Sequence, residues 1–164
     1  IIPEIKAGVP IDCGSCHFRD GRGSHVINTP KDPRIAPPTF GVGLLQYIDG
    51  RETGFTWNGS VATVRHQIRE ALINDHGINP DSGEDISAEQ IELIARYTEF
   101  LTVPVRSPAT YENPDVADGE ILFNDVGCAS CHTPLQRTSA QAPRKFRNLT
   151  IRPYTDMKNH QVAD

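Results

Sequence analysis

The chain carries two groups of residues whose types and spacing suit the binding of a metal cofactor. Its only four cysteines form two Cys-x-x-Cys pairs, and a histidine directly follows each pair. Thiolates and imidazoles are among the best protein ligands for transition metals. The residues are Cys13, Cys16 and His17 in the first motif, and Cys128, Cys131 and His132 in the second motif.

A Cys-x-x-Cys unit can serve four roles, and the histidines decide between them. A disulfide across so short a step closes a strained, easily reduced loop, and a thioredoxin-like redox pair requires a βαβ context that is absent from the sequence. A shared zinc site of four thiolates has no use for a histidine at this position. Haem attachment uses all three residues, because the thiols form thioethers and the imidazole binds iron. We therefore predict two covalently attached c-type haems, with His17 and His132 as proximal ligands.

Composition and charge narrow the class of protein and its partners. The 164 residues fit one ordinary domain or two small ones. Thirteen glycines, thirteen prolines and a hydrophobic content of 37% indicate loops and a thin core, which a large apolar cofactor would fill. The net charge of −5 argues against nucleic acid, and no apolar run is long enough to span a membrane. Because the chain starts without methionine, we expect a processed protein or part of a longer one.

Two helices are predicted between the motifs from their start and stop signals. An N-cap at Ser60 precedes an apolar stripe that ends at Asn74. Ser87 and Gln90 form a capping box for the next helix, which stops before Pro104 because proline lacks a backbone donor. With no convincing set of strands, the predicted fold class is mostly α with extensive loops.

A third helix is predicted directly before the second motif. Apolar residues recur at helical spacing through 115–126, and Gly127 suits the end of a helix. The twelve residues before Cys13 contain prolines and a glycine and predict no such helix. We therefore predict two cytochrome c-like haem domains of unequal build. They span residues 1–103 and 115–164, the second of them short, with a proline-rich linker at 104–114.

Six short stretches, in order along nearly the whole chain, match a pattern known from one superfamily. They are 16–23 (CHFRDGRG), 36–45 (APPTFGVGLL), 55–59 (FTWNG) with Thr63 and Gln67, 74–78 (NDHGI), 119–124 (GEILFN), and 153–157 (PYTDM) with His160. With them the chain resembles the dihaem cytochrome c peroxidases, and most closely their thiol-oxidoreductase-like, di-haem oxidoreductase relatives. The resemblance implies one c-type haem per domain, one for electron transfer and the other for reaction or a second transfer step.

The resemblance also implies two catalytic candidates near the reactive haem. In peroxidase relatives, a glutamine ten residues after the tryptophan of the W-x-G stretch lines that haem, and Gln67 lies ten residues after Trp57. A carboxylate that precedes Met-Gly in those relatives corresponds to Asp75, which could move protons during peroxide cleavage. His76 stands where those relatives have methionine.

The distal iron ligands are open at the level of sequence. The candidates are His25 and His76, together with His160 and Met157, which follow the second motif and can reach the second haem. Tyr154 is a further candidate, because some relatives use a tyrosine ligand. The resemblance implies further chain beyond Asp164. We therefore expect more sequence, another subunit that completes the second pocket, or a more exposed and differently ligated haem.

Three functions follow as hypotheses from these features. The first is an electron-transfer cytochrome that passes electrons between redox proteins. The second is a dihaem peroxidase that reduces hydrogen peroxide at one open haem. The third is a cytochrome subunit of a larger redox assembly or filament. Haem c is attached on the translocated side of the bacterial membrane, so we expect a periplasmic or extracellular protein.

Overall fold

A computed structural model describes residues 13–17, 26–28, 33–56, 58–82 and 85–161. These ranges are mostly helical, with long loops and little sheet, as predicted. No helix in them is long and apolar enough to cross a membrane. Two antiparallel pairs of short strands complete the fold: residues 26–28 pair with 33–35, and residues 136–137 pair with 150–151. The elements are α1 (Val42–Leu45), α2 (Val64–Asn74), α3 (Ala88–Glu99), α4 (Pro108–Tyr111), α5 (Pro114–Asp125), the 3-10 turns Cys13–Ser15 and Cys128–Ser130, and the strands β1 (Val26–Asn28), β2 (Pro33–Ile35), β3 (Gln136–Arg137) and β4 (Thr150–Ile151).

Helices α2 and α3 pack against each other around the main apolar cluster. The cluster joins Leu72 of α2 to Ile91 of α3 through Ile78 and Ile86, all of which are buried. This packing stabilises both helices, since neither is long enough to persist alone in water. It also fixes the position of α2, which carries the catalytic candidates.

One of the two predicted helix starts is confirmed, and the other is wrong by three residues. The Ser87 hydroxyl accepts a hydrogen bond from the Gln90 N–H at 3.2 Å, and the Gln90 side chain accepts one from the Ser87 N–H at 2.8 Å. For α2, however, the N-cap is Thr63, whose hydroxyl accepts from the His66 N–H at 3.1 Å. The predicted cap, Ser60, lies in the preceding turn instead.

Helix α5 lies directly before the second motif, as predicted, and ends in a left-handed glycine. The Asn113 side chain caps its first turn by accepting from the Asp115 N–H at 2.9 Å. Gly127 follows at φ 86°, a conformation that favours glycine. No residue of α5 is buried. The exposed fractions are 60% for Ile121 and for Leu122, so much of the apolar surface of this helix is uncovered by the described chain.

The segment after the second motif, residues 136–151, folds back onto the first half of the chain, and we call it the arm. Thr138, which is 1% exposed, forms an isolated bridge with Ile48. The ring of Phe146 lies 5.3 Å from that of Tyr47 and 5.1 Å from that of Phe100, measured between centroids. The arm thus packs on residues that precede the predicted linker. That linker is mostly exposed and contains the short helix α4.

Candidate functional site

The two motifs fold into the same backbone turn. In each, the carbonyl of the first cysteine accepts hydrogen bonds from the N–H groups of the second cysteine and of the histidine. The N–O distances are 3.3 Å for Cys16 and 2.8 Å for His17 in the first motif. They are 3.3 Å for Cys131 and 2.9 Å for His132 in the second. The two cysteines and the histidine of each motif therefore lie on the same kind of backbone turn.

None of the four cysteines forms a disulfide. Cys16 is half-buried, and the other three cysteines are exposed. Within the described ranges, no three histidine, cysteine or acidic side chains come together to form a metal site. Each motif therefore stands as a separate binding unit, an arrangement that differs from a shared four-thiolate zinc site.

Each motif histidine is oriented by a backbone carbonyl from further along the chain. Nδ1 of His17 lies 2.8 Å from the carbonyl oxygen of Pro37, and Nδ1 of His132 lies 3.2 Å from that of Tyr154. A carbonyl oxygen only accepts, so Nδ1 must carry the proton in both rings. Nε2 then keeps its lone pair for a metal, and no described residue hydrogen-bonds to it. Cysteines outside any disulfide, next to such an imidazole, fit the attachment of a haem.

An aromatic pair lies on one side of the second histidine, which is itself exposed. The Phe123 ring lies 6.4 Å from the His132 ring and meets the Tyr154 ring edge-on at 5.5 Å. A cavity of about 200 Å³ between α5 and Pro134 is lined by Phe123 and Tyr154. Because the Tyr154 carbonyl binds Nδ1, this residue lies behind the His132 ring, on the side away from a metal at Nε2. That position favours a supporting role for Tyr154 over distal ligation.

The two catalytic candidates share one face of α2. Gln67, Ala71 and Asp75 follow each other at intervals of four residues, which places them on one side of the helix. The Gln67 side-chain oxygen is buried and has no hydrogen-bond partner within the described chain. A buried acceptor without a partner is costly, so this oxygen is suited to a ligand.

The histidine of the first motif acts electrostatically on the Asp75 carboxyl. Partial desolvation by the surrounding protein raises the pKa of its carboxyl, although the side chain keeps contact with solvent. The neighbouring His76 and His17 act in the opposite direction and favour the charged form. Nδ1 of His76 is buried and, among the described residues, has no partner. The Asp75 carboxyl therefore lies within electrostatic range of both His76 and the predicted proximal ligand His17.

The remaining distal candidates differ in how their atoms are engaged. Nε2 of His160 lies 2.9 Å from a carboxylate oxygen of Asp156. Met157 is half-buried, and its carbonyl accepts a hydrogen bond from the Thr53 hydroxyl at 2.7 Å. His25 and Trp57 lie outside the described residues. Whether His25, His160 or Met157 binds iron stays a prediction.

The fold and the site define the class of the protein, and comparison gives its family. The class is a mostly helical protein with two separate motifs of the haem-binding kind. Residues 61–164 match the family model described as "Di-haem oxidoreductase, putative peroxidase". Since the match covers more than half of the chain, the protein belongs to the di-haem oxidoreductase family, which implies haem cofactors. No curated protein and no solved structure matches the chain significantly.

Proposed function

We propose that this protein is a dihaem c-type oxidoreductase that reduces hydrogen peroxide at the first motif and receives electrons at the second. The observation that carries the proposal is the buried, unpartnered side-chain oxygen of Gln67, on the helix face that continues to Asp75, whose carboxyl lies within electrostatic range of His17. Carboxyl and amide groups near an iron site are the groups that peroxide cleavage requires. The family description supports the same reaction class.

The reaction consumes two electrons and two protons: H2O2 + 2 e− + 2 H+ gives two molecules of water. The haem, when bound, supplies the iron that takes up electrons and binds the peroxide oxygen. Gln67 can hold the substrate through its amide. Asp75 can take a proton from the oxygen nearer the iron and deliver it to the leaving oxygen, a role for which a raised pKa is suitable.

The second motif is suited to electron entry from a protein donor. Both cysteines of the second motif are exposed, and so are apolar residues of α5, so a partner can approach closely. The stretch 112–126 carries five acidic residues and no basic one, which favours a donor with a basic contact surface. The same exposure of α5 supports the alternative that another subunit of a larger redox assembly covers this helix.

The two-domain division at residues 104–114 and the bacterial periplasmic or extracellular location belong to this proposal. The exposure of residues 104–114 supports the division of the chain into two domains at this linker. The location follows from covalent haem attachment, because that step takes place on the translocated side of the membrane.

Electron transfer alone is the second candidate function, and His76 favours it. With its Nδ1 unpartnered and its position near His17, His76 could occupy the sixth position of the first iron. The site would then be closed to peroxide, and electrons would pass singly through both motifs.

Two measurements test the proposal. Intact mass under denaturing conditions should equal that of the polypeptide plus two haems, and a mass without haem would refute covalent attachment. The ferric protein should then show a high-spin signal and turn over peroxide with a reduced c-type donor. Asp75→Asn should lower kcat by about 10²-fold, whereas Asp49→Asn, at an exposed position outside α2 and the acidic stretch 112–126, should leave it within about twofold.

If the protein only transfers electrons, the same measurements of spin state and peroxide turnover should give the opposite result. If His76 binds the iron, the native protein is entirely low-spin and inert to peroxide, and His76→Gln converts the first haem to high-spin. His66→Gln is the matched control, since His66 lies on the same helix and contacts Glu70 at 3.5 Å. A native low-spin protein without turnover would refute peroxide reduction and favour electron transfer.

A further inference from the structure

A short segment connects the proximal histidine of the second motif to a loop in the first half of the chain. We call this segment, residues 154–157, the strap. At its start, the Tyr154 carbonyl accepts from Nδ1 of His132 at 3.2 Å. At its end, the Met157 carbonyl accepts from the Thr53 N–H at 2.9 Å and from the Thr53 hydroxyl at 2.7 Å. The strap therefore joins His132 to Thr53, two residues that are 79 positions apart in the chain.

The strap holds its shape through bonds along its own length. The backbone of Tyr154 and of Met157 adopts φ 53°, in the left-handed region that residues with a side chain rarely occupy. Such conformations persist only where the surroundings enforce them. Here the Thr155 hydroxyl accepts from the Met157 N–H at 3.1 Å, and the Gln136 amide donates to the Thr155 carbonyl at 3.2 Å. Displacing one end of the strap should therefore move the other.

The attachment to the first half has three further components besides the Thr53 hydroxyl. These are the Thr53 N–H, the Glu52 N–H, which donates to the Met157 carbonyl at 3.2 Å, and an ion pair between Lys158 and Glu52. The hydroxyl is the only one of the four that a conservative substitution removes without changing charge or backbone. It makes the shortest of the hydrogen bonds to this carbonyl.

The carbonyl that receives the Nδ1 proton tunes the imidazole as a ligand. A stronger hydrogen bond at Nδ1 makes Nε2 more basic and stabilises the oxidised metal. The Tyr154 carbonyl is this acceptor, and Thr53 is part of what holds it in place. A change at Thr53 should therefore alter the second iron without touching either motif.

We propose that Thr53 is a positioning residue for His132, acting through the strap on the redox potential of the second haem. This inference rests on the proposed function in that it requires a haem at the second motif. According to this proposal, the first half of the chain helps to set the redox potential of the second haem.

Four variants of the full dihaem protein test this. Thr53→Val removes the hydroxyl and keeps the shape, and Thr53→Ser restores the hydroxyl. Thr155→Val loosens the strap from within. Thr98→Val is the matched control, because the Thr98 hydroxyl also donates to a carbonyl, that of Ile94 at 2.9 Å, but in α3 and away from the strap.

Spectroelectrochemical titration and exchange of the His132 Nδ1 proton, followed by NMR with labelled histidine, are the readouts. Thr53→Val and Thr155→Val should favour reduction of the second haem two- to threefold, which corresponds to roughly 20 to 30 mV for one electron. The Nδ1 proton should exchange at least threefold faster. Thr53→Ser and Thr98→Val should match the native protein. A Cys13→Ala/Cys16→Ala variant identifies the wave of the second haem.

The outcomes separate the inference from the proposed function. Native protein without haem at the second motif would refute the proposed function. Normal haem content with an unmoved second wave in both Thr53→Val and Thr155→Val would refute the strap alone. A shift in Thr53→Ser or in Thr98→Val equal to that in Thr53→Val would also refute it, because the hydroxyl would then not be the cause.

Discussion

Replacing Phe146 by alanine should detach the arm from the first half of the chain. Phe146 is 8% exposed and stacks between the rings of Tyr47 and Phe100, with centroid distances of 5.3 and 5.1 Å. It is the largest buried side chain of the arm. The substitution removes the buried apolar surface of the ring and both of its ring contacts.

The expected loss follows from these contacts. Removing a buried phenylalanine to alanine costs about 3–5 kcal/mol, which includes the cavity that remains. A natural domain has about 5–15 kcal/mol of stability in total. For a chain of this size each kcal/mol lowers Tm by about 2–4 °C, so Tm should fall by about 6–20 °C. Phe100→Ala should cost about half as much, because Phe100 is 47% exposed.

Urea unfolding of the dihaem protein, followed by circular dichroism and by haem absorbance, measures these losses. Tyr111→Ala is the surface control, since Tyr111 is 70% exposed, and it should change stability by less than about 1 kcal/mol. If Phe146→Ala costs no more than Phe100→Ala, the arm does not depend on this aromatic contact and the reasoning fails.

Two further predictions concern α2 and α3. Because desolvation raises the pKa of Asp75, the acid limb of peroxide turnover should lie above the ordinary aspartate pKa and vanish in Asp75→Asn; a limb at or below that pKa would contradict this. The same raised pKa contributes folding stability at acid pH that is lost as pH rises through the folded value. Ser87→Ala should destabilise the protein by about 1 kcal/mol in thermal or urea unfolding, since it breaks the capping box. Ser107→Ala is its control, as Ser107 makes no cap bond at α4, and equal losses would argue against the capping explanation.

Local signals predicted the helices well where no distant contact competes. The capping box at Ser87 and the glycine at 127 lie where the sequence places them. At α2, Ser60 and Thr63 could each cap the helix, and the backbone pairing of the segment just before the helix decides between them. Phe55 and Val61 exchange backbone hydrogen bonds of 2.6 and 3.2 Å, which holds the chain extended at Val61. Ser60 therefore cannot start the helix, and Thr63 does.

The motif residues could be predicted from sequence, but their supporting groups could not. Cysteines and histidines at fixed spacing predict a kind of binding site from residue type alone. The groups that orient the imidazoles are the carbonyls of Pro37 and Tyr154, and any residue provides a carbonyl. Only the fold determines which carbonyl reaches each ring. The same holds for Thr53, whose partner lies 104 residues away.

The two motifs therefore share a turn and a way of holding their histidines, but they differ in what anchors the acceptor. The carbonyls come from 20 residues after His17 and 22 residues after His132. Pro37 leads into Gly41, whose N–H donates to the Leu101 carbonyl at 2.8 Å, so the first acceptor is anchored within the first half. Tyr154 is anchored through the strap to Thr53, also in the first half. Loosening the arm and strap should thus disturb the second site while leaving the first acceptor in place. The first half of the chain organises both sites, and the second site depends on it.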